Sequence, residues 1–212
     1  MQATRITAIR HGETAWNVDT RIQGQLDIAL NDKGRWQAER AGTALAGQDI
    51  AAVVASDLWR AYDTALSVAK PLGLSVLSDE GLRERGFGEF EGKTFAEIER
   101  DWPEKAKKWR HRDPEFAPDG GESLLVFRER VLNTVHAIAA NYVGQHVVIV
   151  SHGGVMDVLY RAATGLALDA PRSWDLGNAA INRLLWAGES FTLVGWADKA
   201  HLESDALDES SV

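Results

Sequence analysis

Residues 146–154 read HVVIVSHGG. The first six form a short, β-branched apolar run, the pattern of a strand buried on both faces. The run stops at His152, and Gly153-Gly154 opens a helical stretch to about Gly165. The segment TRITAIRHG (residues 4–12) has the same form, a β-rich run over Thr4–Arg10 passing into a loop at His11-Gly12. Asp49–Ser56 (DIAAVVAS) and Leu74–Leu77 are expected as further strands. Between them, Asn31 is placed to cap a helix from Asp32 to about Leu45, with Ala38, Ala41 and Leu45 on one stripe. A second helix is expected over Leu58–Lys70, stopped by Pro71 and Gly73. Strands alternating with helices predict an α/β fold, a three-layer α/β/α sandwich with a mostly parallel sheet. Ala179–Trp186 and Phe191–Trp196 flank an Ala-Gly-Glu turn, so one strand is expected to be antiparallel.

The middle of the chain departs from this alternation. Thr94–Trp109 reads as helical with an interruption at Pro103, and residues 110–121 as a charged loop. Ser123 is the expected N-cap of a long helix reaching Tyr142. The chain has 212 residues, and domains run to roughly 150. We therefore expect a single domain over 1–203 with a helical insertion at about 93–122, and an acidic, flexible tail over 204–212.

Composition narrows the function. Hydrophobic residues make up 45% and charged residues 25%, which excludes a chain disordered throughout, a collagen-like repeat and a coiled coil. Lys plus Arg is 23 against 31 Asp plus Glu, a net charge of −8, so a basic face for nucleic acid or anionic lipid is not expected. An anionic substrate must be held by a local cluster of arginines. With no cysteine, disulfides, thiolate metal sites and a Cys nucleophile are excluded. Met1–Arg10 has no apolar run long enough for a signal-peptide core, and the longest apolar stretch elsewhere is far short of the 18 or so residues of a membrane span. The expected setting is the cytoplasm, with no membrane partner.

In an open α/β sheet, ligands bind beyond the carboxyl ends of the strands. Arg10-His11, Arg60, Glu84 and His152 all fall at or after such ends. A neutral imidazole is a good nucleophile toward phosphorus near pH 7. A guanidinium offers a planar fork matched to phosphate oxygens. Gly12 is expected to turn the backbone away and leave room for a phosphoryl group. Taken singly, each has a plainer reading. His11 alone could be a satisfied structural histidine, Arg60 a solvated residue at a helix start, and Glu84 a surface charge like Glu80, Glu89 and Glu91. His111, His136, His146 and His201 are expected to be structural or exposed, and Ser123 a cap. Trp16, Trp102 and Trp109 are candidates for the mouth of the site, although core packing is the commoner role.

The set RHGET (10–14), LNDKGRWQAERAG (30–42), SDLWRAYDTA (56–65), LRERGFGEFEG (82–92), PDGGES (118–123), SHGG (151–154) and WADKAHL (196–202) resembles the histidine phosphatase superfamily, in that family's order and spacing. The resemblance implies a phosphoglycerate mutase-like fold over nearly the whole chain. It implies that His11 becomes phosphohistidine, that Arg10, Arg60 and His152 bind the phosphoryl oxygens, and that Asn17 assists. Glu84 would protonate the leaving oxygen and then serve as base toward water. Gln23 and Gly24, in RIQGQLD (21–27), match the loop beside the phosphate, with Arg21 nearby. Gly153 and Gly154 offer backbone N–H groups at a helix N-terminus.

Such a site needs neither cofactor nor metal, because two guanidiniums and an imidazole neutralise the phosphoryl group. Its partner is a small phosphorylated substrate, and a homodimer is compatible with it. The short 93–121 segment lacks the insertion rich in basic and aromatic residues of the glycolytic mutases, so a compact phosphatase is expected. The alternatives are a phosphoglycerate mutase, a non-catalytic phosphate-binding domain, and a zinc hydrolase using His11 and His152.

Overall fold

The computed structural model describes residues 2–203. Along the chain run β1 (Thr4–Arg10), α1 (Ala15–Val18), α2 (Asp32–Leu45), β2 (Ala52–Ala55), α3 (Trp59–Ala69) and β3 (Val76–Ser78). They are followed by α4 (Phe95–Asp101), α5 (Pro103–Arg110), α6 (Leu124–Asn141), β4 (His146–Ser151), α7 (Gly153–Thr164), β5 (Ile181–Ala187), β6 (Ser190–Asp198) and α8 (Ala200–Glu203). The sheet order is β3-β2-β4-β1-β5-β6. β1 to β4 run parallel, and β5 runs against both of its neighbours. The α/β class and the single antiparallel strand agree with the sequence pattern. The acidic tail expected over 204–212 lies outside the described residues.

The sheet is central because its strands are apolar on both sides. Val147 and Ile149 face a core with Phe127, Val131 and Val135 of α6 and Met156 and Leu159 of α7. Val148 and Val150 face the opposite core with Ala41 and Leu45 of α2 and Ala61, Ala65 and Val68 of α3. The two periods meet: alternate strand residues and every third or fourth helix residue.

The caps sit where the sequence places them. Asn31 accepts from Gly34 N at 2.7 Å and Ser123 from Val126 N at 3.2 Å. Pro103 separates α4 from α5, since a proline cannot continue the ladder there. Four strands are displaced from their expected bounds: β5 runs over Ile181–Ala187 and not 179–186, since Ala179 has φ 56°, and β6 runs over Ser190–Asp198 and not 191–196. Residues 49–51 stay outside β2, because Ile50 N turns back to Gln48 O before the ladder begins. β3 starts at Val76, not Leu74, because Leu74 N still bonds Ala69 O as the chain leaves α3 through Gly73 at φ 67°. The short α1, capped reciprocally by Thr14 and Asn17, was not anticipated. α4 and α5 cover a separate aromatic cluster around Phe90, with Trp102 and Trp109 against it. Among the described residues no helix is long and apolar enough to cross a membrane.

Candidate active site

β1 and β4 lie side by side with Arg10 opposite Ser151, so the residues that follow them meet. The rings of His11 and His152 are 5.3 Å apart, edge to face, and both are buried. His11 Nδ1 lies 2.7 Å from Gly12 O. A carbonyl only accepts, so Nδ1 carries the proton and Nε2 is left with its lone pair. Burial, with Arg60 and Arg10 beside it, holds the His11 imidazole well below its ordinary pKa, hence neutral. His152 is depressed in the same way by burial, then by Arg60 and His11. Its Nε2 is 2.9 Å from Ser56 Oγ at the end of β2.

Arg60 is fully buried at the start of α3 and donates to Leu26 O at 2.8 Å and Gly24 O at 2.7 Å. Burial lowers its pKa to about 10. Arg10, also lowered by burial, donates to Leu176 O. Arg10 Nε, Arg60 Nε, His152 Nδ1 and Gln23 Oε1 are buried and have no hydrogen-bond partner among the described residues. A buried donor left unpaired costs roughly 1–3 kcal/mol. Two guanidinium donors in this state, beside two imidazoles, describe a receptor for an anion.

Glu84 follows the 3-10 turn Glu80–Leu82 and is stretched across to α7. Its Oε1 accepts from Arg85 N at 2.8 Å and its Oε2 from Gly154 N at 2.9 Å. A Cβ on Gly154 would lie 2.1 Å from Glu84 Oε1, so the second glycine of SHGG makes room for this carboxylate. Gly12 has a different reason from the one expected. Its Cβ would lie 2.3 Å from Gly34 O, so it lets the loop after β1 touch α2. The competing acids are occupied elsewhere. Glu80 is exposed near Arg83, Glu89 pairs with Lys105, and Glu91 holds the backbone N–H groups of Gln25 and Phe87.

Arg10, His11, Asn17, Gln23, Gly24, Arg60 and Glu84 all line one chamber of about 170 Å³. Asn17 Oδ1 accepts from Thr14 N at 3.0 Å and from Asn178 at 3.3 Å, leaving its amide nitrogen as the group it can offer. The chamber shares Arg10, Asn17, Arg21, Ile22 and Glu84 with a cleft of about 610 Å³ whose walls also include Gly153, Trp16 and Trp109. His11 lines the chamber and not the cleft. Trp102 turns into the aromatic cluster instead.

Several contributors carried no sequence signal. Ser56 meets His152, and Asn178 donates to His11 O at 2.9 Å. Arg130 of α6 clamps the turn before Glu84 through Gly81 O, Arg83 O and Glu84 O. Arg172 and Trp174 join the cleft from the loop between α7 and β5. Among the described residues no group of three or more His, Cys, Asp or Glu side chains could hold a metal ion.

This geometry has counterparts. Residues 6–199 match the family model of the histidine phosphatase superfamily, branch 1. Phosphoglycerate mutase-like protein 4 of Arabidopsis thaliana is 38% identical over 209 residues, covering 97% of this chain and 90% of that protein. Glucosyl-3-phosphoglycerate phosphatase of Mycobacterium tuberculosis is 37% identical over 224 residues, covering 98% of this chain and 100% of the other. The solved structure of Bacillus stearothermophilus YhfR superposes with a TM-score of 0.87 at 33% identity, covering 95% of this chain and 100% of its own. With a family match over nearly its whole length and relatives that share its full extent, the chain belongs to the histidine phosphatase superfamily, branch 1, and is a hydrolase of that family.

Proposed function

We propose that this chain hydrolyses small phosphomonoesters through a phosphohistidine on His11, without a metal. One observation carries the reading: the neutral His11, its Nδ1 committed to Gly12 O, sits among buried Arg10, Arg60 and His152 atoms that have no partner among the described residues. His11 Nε2 attacks phosphorus as the bond to the leaving oxygen breaks, and Glu84 passes its proton to that oxygen. Water then attacks the phosphohistidine, gives a proton back to Glu84, and inorganic phosphate leaves as the N–P bond breaks. The arginines supply the charge neutralisation that phosphoryl transfer requires. With the Ser56 hydroxyl donating to His152 Nε2, the ring's proton lies on Nδ1, where it can bind a phosphoryl oxygen. Asn17, Gln23, Gly24 and Gly153 complete the phosphate's surroundings.

The catalytic unit is one domain over 1–203, with 93–122 as a helical insertion. Its setting is the cytoplasm, in keeping with the absence of cysteine, and a homodimer is an allowed assembly. Hydrolysis of simple phosphomonoesters should persist in excess chelator; activity lost to the chelator and restored by zinc or magnesium would overturn the metal-free reading.

A second reading, mutase, is favoured by the mutase-like name of the Arabidopsis relative. With 3-phosphoglycerate and catalytic 2,3-bisphosphoglycerate, a phosphatase gives phosphate and little 2-phosphoglycerate. Rapid interconversion of the two monophosphates would reverse the order of the two readings.

A further inference from the structure

The loop between α7 and β5 walls the cleft, and its two halves are held by different means. Residues 174–178 are fastened to the sheet and the site. Trp196 Nε1 donates to Asp175 O at 2.9 Å, Arg10 to Leu176 O, and Asn178 to His11 O. For residues 167–172, every hydrogen bond to the rest of the chain, among the described residues, comes from two guanidiniums. Arg161 of α7 donates to Ala167 O and, at 2.8 Å, to Ala170 O. Arg112, just past α5, donates to Leu168 O at 2.8 Å.

One carboxylate holds both guanidiniums. Asp157 Oδ2 accepts from Arg112 at 2.7 Å and from Arg161 at 3.0 Å, and Asp157 and Arg161 are buried. The two cations oppose each other: Arg161 adds to the burial that lowers the pKa of Arg112, and Asp157 counters both. Arg112 also has φ 53°, a conformation uncommon for a residue with a side chain and kept where surrounding contacts fix it. The carboxylate thus ties the end of α5, α7 and the loop to one point. Leu168, Pro171 and Arg172 wall a cavity of about 480 Å³ that shares Glu84, Trp109, Gly154 and Arg172 with the cleft. Where residues 167–172 lie therefore sets how much room there is beyond Glu84.

We infer that Asp157 is a positioning residue: through Arg112 and Arg161 it fixes residues 167–172, and with them the space open to the alcohol part of the substrate. This rests on the site assigned above to His11 and Glu84, whose reacting atoms Asp157 does not touch.

Two variants test it. Asp157→Asn keeps the side chain's size and removes its charge. Arg112→Gln leaves the buried Asp157–Arg161 pair in place and releases Leu168, so it decides the matter if Asp157→Asn does not fold. 1-Naphthyl phosphate reports on the space beyond Glu84, and inorganic phosphate on the chamber alone. In both variants KM for 1-naphthyl phosphate should rise roughly three- to tenfold, the scale of one lost charged hydrogen bond. Over the same comparison kcat, and the Kd of inorganic phosphate from calorimetry, should stay within about twofold. Asp157→Glu should recover part of the KM. Tryptic cleavage after Arg172, in native buffer well below the melting temperature, should speed up roughly tenfold in both variants, as a local opening that has become easier. A lower melting temperature with KM and cleavage rate unchanged would make Asp157 a purely structural residue and overturn the inference. A Kd for phosphate that rises as much as KM also overturns it, because the chamber and not the loop would then have moved. A wild type that hydrolyses no ester removes the phosphatase reading instead, and the cleavage rates by themselves then decide whether Asp157 holds the loop.

Discussion

β4 has a histidine at each end. His146 opens the strand and His152 follows it, both are buried, and burial holds both imidazoles below their ordinary pKa. They differ in what surrounds the ring. His146 Nε2 pairs with Thr7 Oγ1 at 2.9 Å, and no buried ring nitrogen is left over. His152 leaves Nδ1 without a partner, beside a second imidazole and two arginines with unpaired Nε atoms. A depressed pKa therefore does not separate a structural histidine from a site histidine in this molecule. Unmet hydrogen-bonding capacity, gathered at one point with positive charge, does separate them.

The strongest attack on that contrast is His11→Ala. Removing a covalent nucleophile should cost on the order of 10⁴- to 10⁶-fold in kcat. Rapid quenching of wild type with labelled substrate should trap an acid-labile, base-stable phosphoramidate that the variant cannot form. Normal turnover by the variant would dissolve the site as described.

Glu84→Gln comes next. One general acid is worth about 10²- to 10⁴-fold, so phosphorylation of His11 by an alkyl phosphate should slow by that order in single-turnover experiments. The loss should be far smaller for p-nitrophenyl phosphate, whose leaving group needs little protonation. Equal losses would make Glu84 a structural carboxylate that merely caps Gly154 and Arg85.

The two ends of β4 can then be compared directly. His152→Ala removes a donor aimed at developing charge and should cost about 10²- to 10³-fold in kcat. His146→Gln should leave kcat/KM within about twofold and cost about 1 kcal/mol of stability through the lost Thr7 bond. Denaturant titration and steady-state rates on both variants measure this. Comparable losses of activity from the two would erase the distinction between the ends.

The smallest effect is in the pH dependence of stability. His11, His146 and His152 are held below the ordinary histidine value of 6.5, so in the folded state they stay neutral while the unfolded chain takes up protons. Stability then rises with pH in this range and is lost as pH falls below about 6.5. The depressed carboxylates Glu13, Asp57, Asp175 and Asp198 act lower, losing their contribution below their ordinary values of 4.5 and 3.8. The window from about 4.5 to 6.5 thus belongs to the histidines. His146→Gln should flatten part of that slope in a series of thermal melts, and an unchanged slope would show that His146 is not buried neutral.

Much of the molecule is legible in its sequence because the signals are local. The β-branched run of 146–151 and the caps at Asn31 and Ser123 act through backbone sterics and hydrogen bonds within a few residues, and the structure has all three in place. Adjacent Arg10 and His11 needed only the end of one strand. The misplaced start of β3 has the same origin: whether Leu74 bonds back to Ala69 or joins the sheet depends on a neighbouring strand, not on its own propensity. The supporting contacts are of another kind. Glu84 reaches Gly154 across 70 positions, Ser56 reaches His152 across 96, and Asn178 reaches His11 across 167. Gly12, which the sequence places beside a phosphate, owes its lack of a side chain to the close approach of Gly34. Periodicity and capping say which segments become strands and helices. Which hydroxyl meets which imidazole, and which cation is left without a partner, depends on strand order and loop path, and only the folded chain sets those.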